Sequence, residues 1–310
     1  MRISDVFGFL VCVVLSFSSK IQAQQDAQYT QYMYSTQVIN PAYGASQEFP
    51  TVSLLARSQW AGIEGAPKTG ILATNVPLGE QQKTALGISV VHDVIGPATQ
   101  TNLSIDYAYN LKINNQYKLA LGLKAGAELL NIDFNKLKVD DAGDFFESAI
   151  DQNLQPQVGA GIYFYDNRFY TGFSVPNVLQ NSHFDDQDNA IEKNRQHYYL
   201  MLGYVFPINE NIKFKPATLF KVVNGAPLQW DFSANFLFYD RLTFGAAYRW
   251  SSAVSLLAGF QVIDQIFIGA AYDHETTALK NYSNGSYEVV ARFTIFNKRN
   301  CACSLKPRFF

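Results

Sequence analysis

The chain has 310 residues, of which 48% are hydrophobic, 15% aromatic and only 16% charged, below the roughly 25% charged residues of an average soluble domain. A formal net charge of -2 gives no reason to expect nucleic acid as a partner. No run of about eighteen apolar residues follows the N-terminal stretch, so transmembrane helices are excluded, and a mature chain that spans a membrane must do so as a closed β-barrel.

Residues 1–23 have the pattern of a cleaved signal peptide. Arg2 supplies a positive charge, residues 7–17 form an apolar core, and small residues stand at the positions that a signal peptidase reads. Cleavage after Ala23 leaves Gln24 as the first residue of the mature chain. Because the early cysteine lies within this signal, we expect no lipoprotein anchor.

Residues 24–50 form an N-terminal segment without clean periodicity. The sequence Asn40-Pro41-Ala42-Tyr43-Gly44 within it is typical of a turn. The segment also carries large side chains that need a place to be buried, namely Tyr29, Tyr32, Met33 and Tyr43. We therefore expect it to pack against the following domain or to plug it.

Alternation of apolar and polar residues continues through residues 51–296, and a period of two predicts β-strands. The fifth run shows it most clearly, since Tyr, Leu and Ala occupy the odd positions from 117 to 129 while Lys, Ala, Gly and Glu occupy the even ones. The predicted strands are 51–59, 69–76, 85–92, 102–111, 117–129, 158–165, 169–175, 198–206, 212–222, 228–239, 242–250, 254–262, 266–273 and 287–295. We predict an all-β, antiparallel transmembrane barrel of about fourteen strands, followed by a C-terminal tail over residues 297–310.

The connections between these strands fall into two classes. Short turns are predicted at 77–83, 112–116, 166–167, 207–211, 240–241 and 264–265, and long connections at 60–68, 93–99, 131–155, 176–197 and 274–286. The two classes alternate along the chain, so all the long connections lie on one rim. Such sorting is typical of outer-membrane barrels and favours a barrel over the alternative, a soluble β-sandwich.

Charged residues interrupt one of the later strands. Lys213, Lys215 and Lys221 alternate with apolar residues, so we expect them to point into the lumen beside Asp231 and Arg249. Two interpretations remain: a charged lumen that selects or docks a ligand, or a network of ion pairs that stiffens a filled barrel.

No catalytic, cofactor-binding or metal-binding motif is found, and we predict neither an enzyme nor a bound cofactor. The four histidines are not spaced as metal ligands: His92, His183, His197 and His274. A lipid-face hydrolase that uses a Ser and one of these histidines is a less favoured alternative. The acidic loop 140–147 lacks the spacing of a calcium-binding EF-hand. Cys301 and Cys303 are compatible with a disulfide, a soft metal site or two free thiols.

Several stretches of the mature chain resemble one known family. Residues 28–33 and 39–44, with Asn40 and Pro41, are similar to its opening, and residues 57–69, with Arg57 and Trp60, are similar to its first loop. Further matching positions, whose role is unknown, are Gly65, Pro67, Gly203, Tyr204, Tyr248, Arg249, Tyr272, Asp273, Tyr282, Ser283, Gly285, Ser286 and Glu288. The family is PorP/SprF, outer-membrane proteins associated with the type IX secretion system of Bacteroidetes. Ala217 and Tyr287 depart from its pattern, which usually has Ser and His there, so these two side chains are not carried over as shared functional groups.

The resemblance implies a barrel in the outer membrane that works as a partner protein. Family members act with secreted proteins that bear a type B C-terminal signal domain, often large adhesins, and with periplasmic and outer-membrane components of the secretion and gliding machinery. No catalytic residues are established for the family. The alternative function is a passive or substrate-selective porin.

The long outer loops are the expected site of partner binding. They comprise residues 131–155, 176–197 and 274–286. Within the first, Phe145 and Phe146 stand among acidic residues and would supply an apolar anchor surrounded by charge. The other interpretation is that these loops merely shield the barrel mouth.

Overall fold

The computed structural model describes residues 28–79, 82–133, 150–179, 182–184, 190–193 and 195–295. Several sequence predictions therefore lie outside the described residues: the signal peptide with its cleavage site between Ala23 and Gln24, the candidate anchors Phe145 and Phe146, Cys301 and Cys303, and the tail 297–310.

Fourteen long antiparallel strands form one closed sheet, and the predicted barrel is confirmed. The strands in chain order are β1 (Thr51–Ser58), β2 (Lys68–Leu78), β3 (Thr84–Ile95), β4 (Ala98–Lys112), β5 (Lys118–Ile132), β6 (Ile150–Tyr165), β7 (Phe169–Val175), β8 (Ser182–Phe184), β9 (Ala190–Lys193), β10 (His197–Tyr204), β11 (Phe206–Pro207), β12 (Ile212–Val223), β13 (Gln229–Phe238), β14 (Leu242–Arg249), β15 (Ala253–Ile263), β16 (Ile266–Glu275) and β17 (Ser286–Thr294). Strands β8 and β9 form a separate ribbon, and the two-residue β11 lies beside β12. Neighbours along the chain pair with each other, β10 joins β7 to β12, and β17 pairs with β1 to close the barrel.

The two faces of the wall have opposite character. In β4, Leu103 and Ile105 are 52% and 55% exposed, whereas Ser104 and Asp106 are 5% and 2% exposed. The same alternation runs through the other long strands, so large apolar side chains cover the outside, and many of the side chains that face the lumen are small or polar, with exceptions such as Leu55 and Tyr163. This is the arrangement of a barrel whose outer surface meets lipid.

The longest connections leave the strands on one rim, as the sequence predicts, although three short connections, 96–97, 224–228 and 250–252, lie on that rim as well. The inner rim carries the short turns, and Thr51 and Thr294, the paired ends of the closing strands, lie there too. The outer rim carries the connections 59–67, 96–97, 133–149, 176–196, 224–228, 250–252 and 276–285. In outer-membrane barrels the rim with short turns faces the periplasm and the other faces outward.

The predicted long connection at residues 93–99 is wrong. Strands β3 and β4 stay paired up to Ile95 and Ala98, and only Gly96 and Pro97 form the turn between them. Gly96 has φ +54°, a left-handed conformation that glycine adopts without strain. Polar residues such as Asp93 did not end the strand, because ladder pairing is made by the backbone.

The inner-rim turn between β6 and β7 is held by Asp166. Its Oδ1 accepts hydrogen bonds from the N–H groups of Arg168 and Phe169, each at 2.6 Å. Partial burial raises the pKa of this carboxyl, but the backbone donors, with a further bond from Gln116, outweigh it and hold the pKa below its usual value.

The N-terminal segment lies in the lumen. It contains a 3-10 turn (Tyr32–Tyr34), a four-residue α-helix (Thr36–Ile39) and a second 3-10 turn (Pro41–Ser46), and most of its residues from 29 to 47 are buried. Tyr43 packs perpendicular to the inward-facing Tyr163 of β6, with ring centroids 5.7 Å apart. No helix in the described part of the chain is long and apolar enough to cross a membrane. The hydrophobic core is thus built between this segment and the inner wall.

Substitution of two exposed isoleucines by arginine tests whether the outer surface of the barrel lies in lipid. Ile105 and Ile113 are 55% and 57% exposed, but Ile105 is the middle residue of β4 and Ile113 follows it at the inner rim. Ile105→Arg is expected to lower the free energy of unfolding by about 2–4 kcal/mol, since it places a cation in mid-bilayer, and Ile113→Arg by at most about 1 kcal/mol. Denaturant unfolding in phospholipid vesicles, followed by the heat-dependent shift in electrophoretic mobility, measures both values.

Equal losses for the two variants would mean that depth in a membrane does not matter. Recovery of the protein as a soluble periplasmic species without a mobility shift would likewise contradict the barrel in lipid.

Candidate functional site

The seam where the barrel closes brings three of the motif residues together. Arg57 of β1 stands directly opposite Glu288 of β17. Its Nη1 lies 2.8 Å from Oδ2 of Asp273 on β16 and 3.2 Å from Oε2 of Glu288, and none of these side chains is more than 1% exposed. We call Arg57, Asp273 and Glu288 the seam cluster.

The seam cluster binds the start of the N-terminal segment. The backbone N–H groups of Thr30 and Gln31 donate to the two carboxylate oxygens of Glu288, at 3.0 and 2.7 Å. The hydroxyl of Thr30 donates to Asp273 at 2.7 Å. The guanidinium of Arg57 contacts two carboxylates here, and the segment adds charge-assisted hydrogen bonds to both of them. The segment is therefore bound directly to the two buried carboxylates of the seam cluster.

Loops on the outer rim lock together above the seam. Ala61 of the β1–β2 connection donates to Gly285 O at 2.8 Å and accepts from the N–H of Asn284 at 2.7 Å. Gly96 of the β3–β4 turn donates to Gly65 O at 2.9 Å. Gly65 and Gly285 have φ +75° and +85°, and a Cβ on Gly285 would lie 2.6 Å from the backbone oxygen of Asp273. These two motif glycines are explained by the backbone they allow.

Trp60 joins these loops to the seam. Its backbone N–H donates to the hydroxyl of Ser286 at 3.1 Å, and its indole Nε1 donates to Glu275 at 3.0 Å. Trp60 has φ +49°, an uncommon conformation for a large side chain. The surrounding hydrogen bonds hold it there, so the outer connections 59–67 and 276–285 form one firm platform.

A second anchor holds the middle of the N-terminal segment. The side chain of Asn40 caps the following 3-10 turn by accepting from Ala42 N–H at 3.0 Å, and its Nδ2 donates to Ile162 O of β6 at 3.0 Å. Pro41 begins the turn. The segment touches the wall so closely here that a Cβ on Gly122 would lie 2.2 Å from the backbone nitrogen of Ala42. A strand glycine often marks such close approach of another backbone.

Charges elsewhere in the lumen are also held by partners. Arg249 and Asp231, opposite each other in β14 and β13, form an ion pair at 3.0 Å. Lys124 lies 3.5 Å from Asp106 and donates to Val38 O of the segment at 3.1 Å. Asp106 also accepts from Gln37 at 3.1 Å.

The three lysines of β12 do not share one environment. Lys215 and Lys221 are buried in the lumen, as predicted, and Lys215 Nζ lies 3.6 Å from the sulfur of Met33. Lys213 instead lies near the inner rim, where it pairs with Asp240 at 2.5 Å and keeps a third of its side chain exposed. Its position explains the difference, since it is the second residue of its strand.

The remaining motif positions do not join the seam cluster. The ring of Tyr170 lies so close to Gly203 that a Cβ there would be 2.4 Å from it, and the ring of Tyr204 packs at a tilt against Phe206, with centroids 4.4 Å apart. The side chains of Tyr248 and Tyr272 point outward from the wall.

The motif residues of the outer-rim loops also stand apart from the seam cluster. Tyr282 is 76% exposed on the outer rim, and the hydroxyl of Ser283 accepts a hydrogen bond from the N–H of Gly285. Pro67 accepts from the N–H of Gln59 at the base of the first outer loop.

The histidines considered for catalysis are separated from their neighbouring carboxylates. His92 and His274 are exposed on the outside, whereas Asp93 and Glu275 are buried on the inside. Alternation along a strand forces adjacent residues onto opposite faces. Among the described residues, no group of three or more His, Cys, Asp or Glu side chains is placed to hold a metal ion.

Sequence reasoning missed the contribution of Thr30 and Gln31. Both lie in the stretch 28–33 that resembles the family opening, but nothing in that stretch indicated which wall residues they bind. A usable signal was present in the strands, because Arg57, Asp273 and Glu288 all fall on the small, polar face of their alternating runs.

The chain is similar to one protein family in sequence and to several solved barrels in structure. The sequence matches the family model described as "Type IX secretion system membrane protein PorP/SprF" over residues 21–293. No curated protein matches the chain. Among solved structures, the CymD monoaromatic hydrocarbon channel superposes with a TM-score of 0.55 at 12% identity, covering 89% of this chain and 95% of that one.

Two further barrels are less similar. A Pseudomonas aeruginosa FadL homologue and the Acinetobacter baumannii outer membrane protein Omp33 each give a TM-score of 0.49. Their identities are 12% and 9%, and the matches cover 83% and 80% of this chain and 93% and 99% of theirs. At such identities, the likeness to solved structures shows the fold alone.

Removing the cation of the seam cluster tests its importance. Arg57→Met is expected to lower the free energy of unfolding by about 3–5 kcal/mol, because it leaves two carboxylates buried without their cation. Lys213→Met is the matched control, since its ion pair is partly exposed and its loss should cost at most about 1 kcal/mol. Denaturant unfolding of the mature protein in lipid gives both values, and a similar loss for the two variants would contradict the role assigned to the seam cluster.

Proposed function

Because the chain belongs to the PorP/SprF family of type IX secretion system membrane proteins, we propose that it docks secreted proteins bearing a type B C-terminal signal domain. It helps to secrete these proteins or to anchor them at the cell surface. The family match over residues 21–293 is the observation that carries this proposal. Its partners are adhesin-like surface proteins on the outer side and components of the secretion and gliding machinery on the periplasmic side. The chain reaches the outer membrane after cleavage between Ala23 and Gln24.

The outer rim is the docking surface. The strands that the longest connections join, across residues 133–149, 176–196 and 276–285, end on this rim. Binding residues are often found on loops that a rigid scaffold positions, because the scaffold fixes the ends of the loops while the loop sequences can vary. The platform made by connections 59–67 and 276–285 supports this role, since its loops are held by reciprocal backbone hydrogen bonds.

The lumen is sealed in the resting state by the N-terminal segment. Three observations support a seal: residues 29–47 are mostly buried, the segment contacts inward faces on several sides of the barrel, and wall glycines make room for its backbone. A sealed lumen suits a docking protein, whereas the alternative function, a porin, requires an open path.

Substitutions in the first long loop test docking. Phe145→Ser combined with Phe146→Ser is expected to reduce co-purification of a fluorescent protein fused to a type B C-terminal signal domain by about tenfold or more, the usual effect of removing an interface hot spot. Tyr239→Ser is the matched control, because Tyr239 is an exposed aromatic residue on the inner rim.

Deletion of residues 138–151 from the first long loop is a second test of docking. If the fusion still reaches the surface and co-purifies at wild-type levels after deletion of residues 138–151, with the barrel intact in the membrane, the first loop is not the docking element.

Two glycine variants test the seal. The intact mature protein is expected to show no steady, large conductance in planar bilayers. Gly122→Val should open the lumen, because its Cβ would meet the backbone of Ala42 and displace the segment, whereas Gly70→Val should change nothing, since nothing lies within 4 Å of a Cβ there. The heat-dependent mobility shift confirms that each variant is folded. Steady conductance from the intact protein would overturn the seal and support the porin.

A further inference from the structure

The N-terminal segment rises through the lumen from the inner rim to the outer rim. Near the inner rim, Gln47 binds Arg292, two residues before the end of β17. At mid-height, Gln37 binds Asp106, the ninth residue of the fifteen-residue β4. Further out, Thr30 binds Glu288, two residues inside the outer end of β17.

The first described residue lies at the outer rim itself. The side-chain amide of Gln28 donates to Gln229, the first residue of β13, which directly follows an outer-rim connection. Gln28 is partly exposed, unlike the buried residues that follow it. The seam cluster then fixes this end in place, because Thr30 and Gln31 are bound to Glu288 only two residues later.

Space remains around the outer end of the segment. Tyr29 borders a cavity of about 100 Å³ whose lining includes the polar side chains of Asp93, Glu128 and Gln157. A second cavity, of about 20 Å³, borders Gln28, Lys221 and Asp231. Both are large enough for water. The outer end of the segment is therefore fixed but not enclosed.

The reach of the chain prevents its mature end from returning to the inner rim. With Gln24 as the mature start, four residues precede Gln28, and a fully extended chain of four residues spans about 14 Å. The apolar band of an outer-membrane barrel is about 25 Å tall. Four residues are too few to cross it.

We infer that the N-terminal segment crosses the whole lumen and presents the mature N-terminal end on the outer side of the membrane. This topology does not depend on the proposed docking function. The start of the segment then belongs to the same surface as the outer loops, so an extracellular protein at the barrel mouth meets the bound end of the segment directly. The barrel closes around the segment, because residues of the closing strands β1 and β17 both contact Thr30.

Single cysteines test this topology. The background carries Cys301→Ser and Cys303→Ser, and the third native cysteine is expected to leave with the signal peptide. Gln28→Cys is the probe, Tyr282→Cys marks the outer rim, where Tyr282 is 76% exposed, and Glu48→Cys marks the inner rim, where Glu48 accepts from the turn residue Gln82. A membrane-impermeant maleimide is applied to intact cells, before and after permeabilisation of the outer membrane.

Q28C and Y282C are expected to be labelled in intact cells, and E48C only after permeabilisation. Because Gln28 is partly buried, a second probe is used: a short epitope inserted between Gln24 and Gln25, detected with an antibody on intact cells. The mobility shift on heating shows that each variant is folded. Labelling of Q28C and detection of the epitope only after permeabilisation, as for E48C, would place the mature end on the periplasmic side and overturn the inference.

Discussion

Two buried carboxylates set the central constraint on this structure. Asp273 and Glu288 are almost fully shielded from solvent, and ionised groups in such a place cost several kcal/mol unless charge and hydrogen bonds compensate. Arg57 supplies the charge, and the backbone of Thr30 and Gln31 supplies further donors. The carboxylates, the cation and the segment come from four separate parts of the chain. Barrel closure and the position of the N-terminal segment therefore depend on each other.

Further along the lumen, the wall and the N-terminal segment also match each other in shape. The wall lacks a side chain at Gly122 and Gly161, where the segment brings Ala42 and Asn40 within the space that a Cβ would occupy. Conversely, Tyr43 of the segment fills space against Tyr163 of the wall. A closely packed interior requires such matching, since overlaps and voids both destabilise it. The barrel thus has its core where a porin would have its channel.

This arrangement separates the surfaces on which function depends. The outside of the wall is apolar and faces lipid, and the lumen is occupied by the N-terminal segment. The two rims are therefore the surfaces that remain for contact with other proteins. The outer rim has the longer connections and a platform built around Trp60, whose indole is tied to Glu275. Many of the family-motif residues lie in this platform, in the seam or in the turn at Asn40. In the described part of the chain, their contacts hold the wall, the outer-rim loops and the N-terminal segment together.

Much of the fold is determined by the sequence alone, because alternation in a strand is a local property: adjacent side chains such as Leu103 and Ser104 must face opposite ways whatever the rest of the chain does. Strand ends were less predictable, as at Asp93, since backbone pairing continues past polar residues. The site required the tertiary structure. Arg57 and Glu288 are 231 residues apart, and they meet only through the register of the first and last strands, while the N-terminal segment has no periodicity that indicates its path. Local pattern decides which face a residue takes, but only closure of the barrel around the segment decides which residues meet inside it.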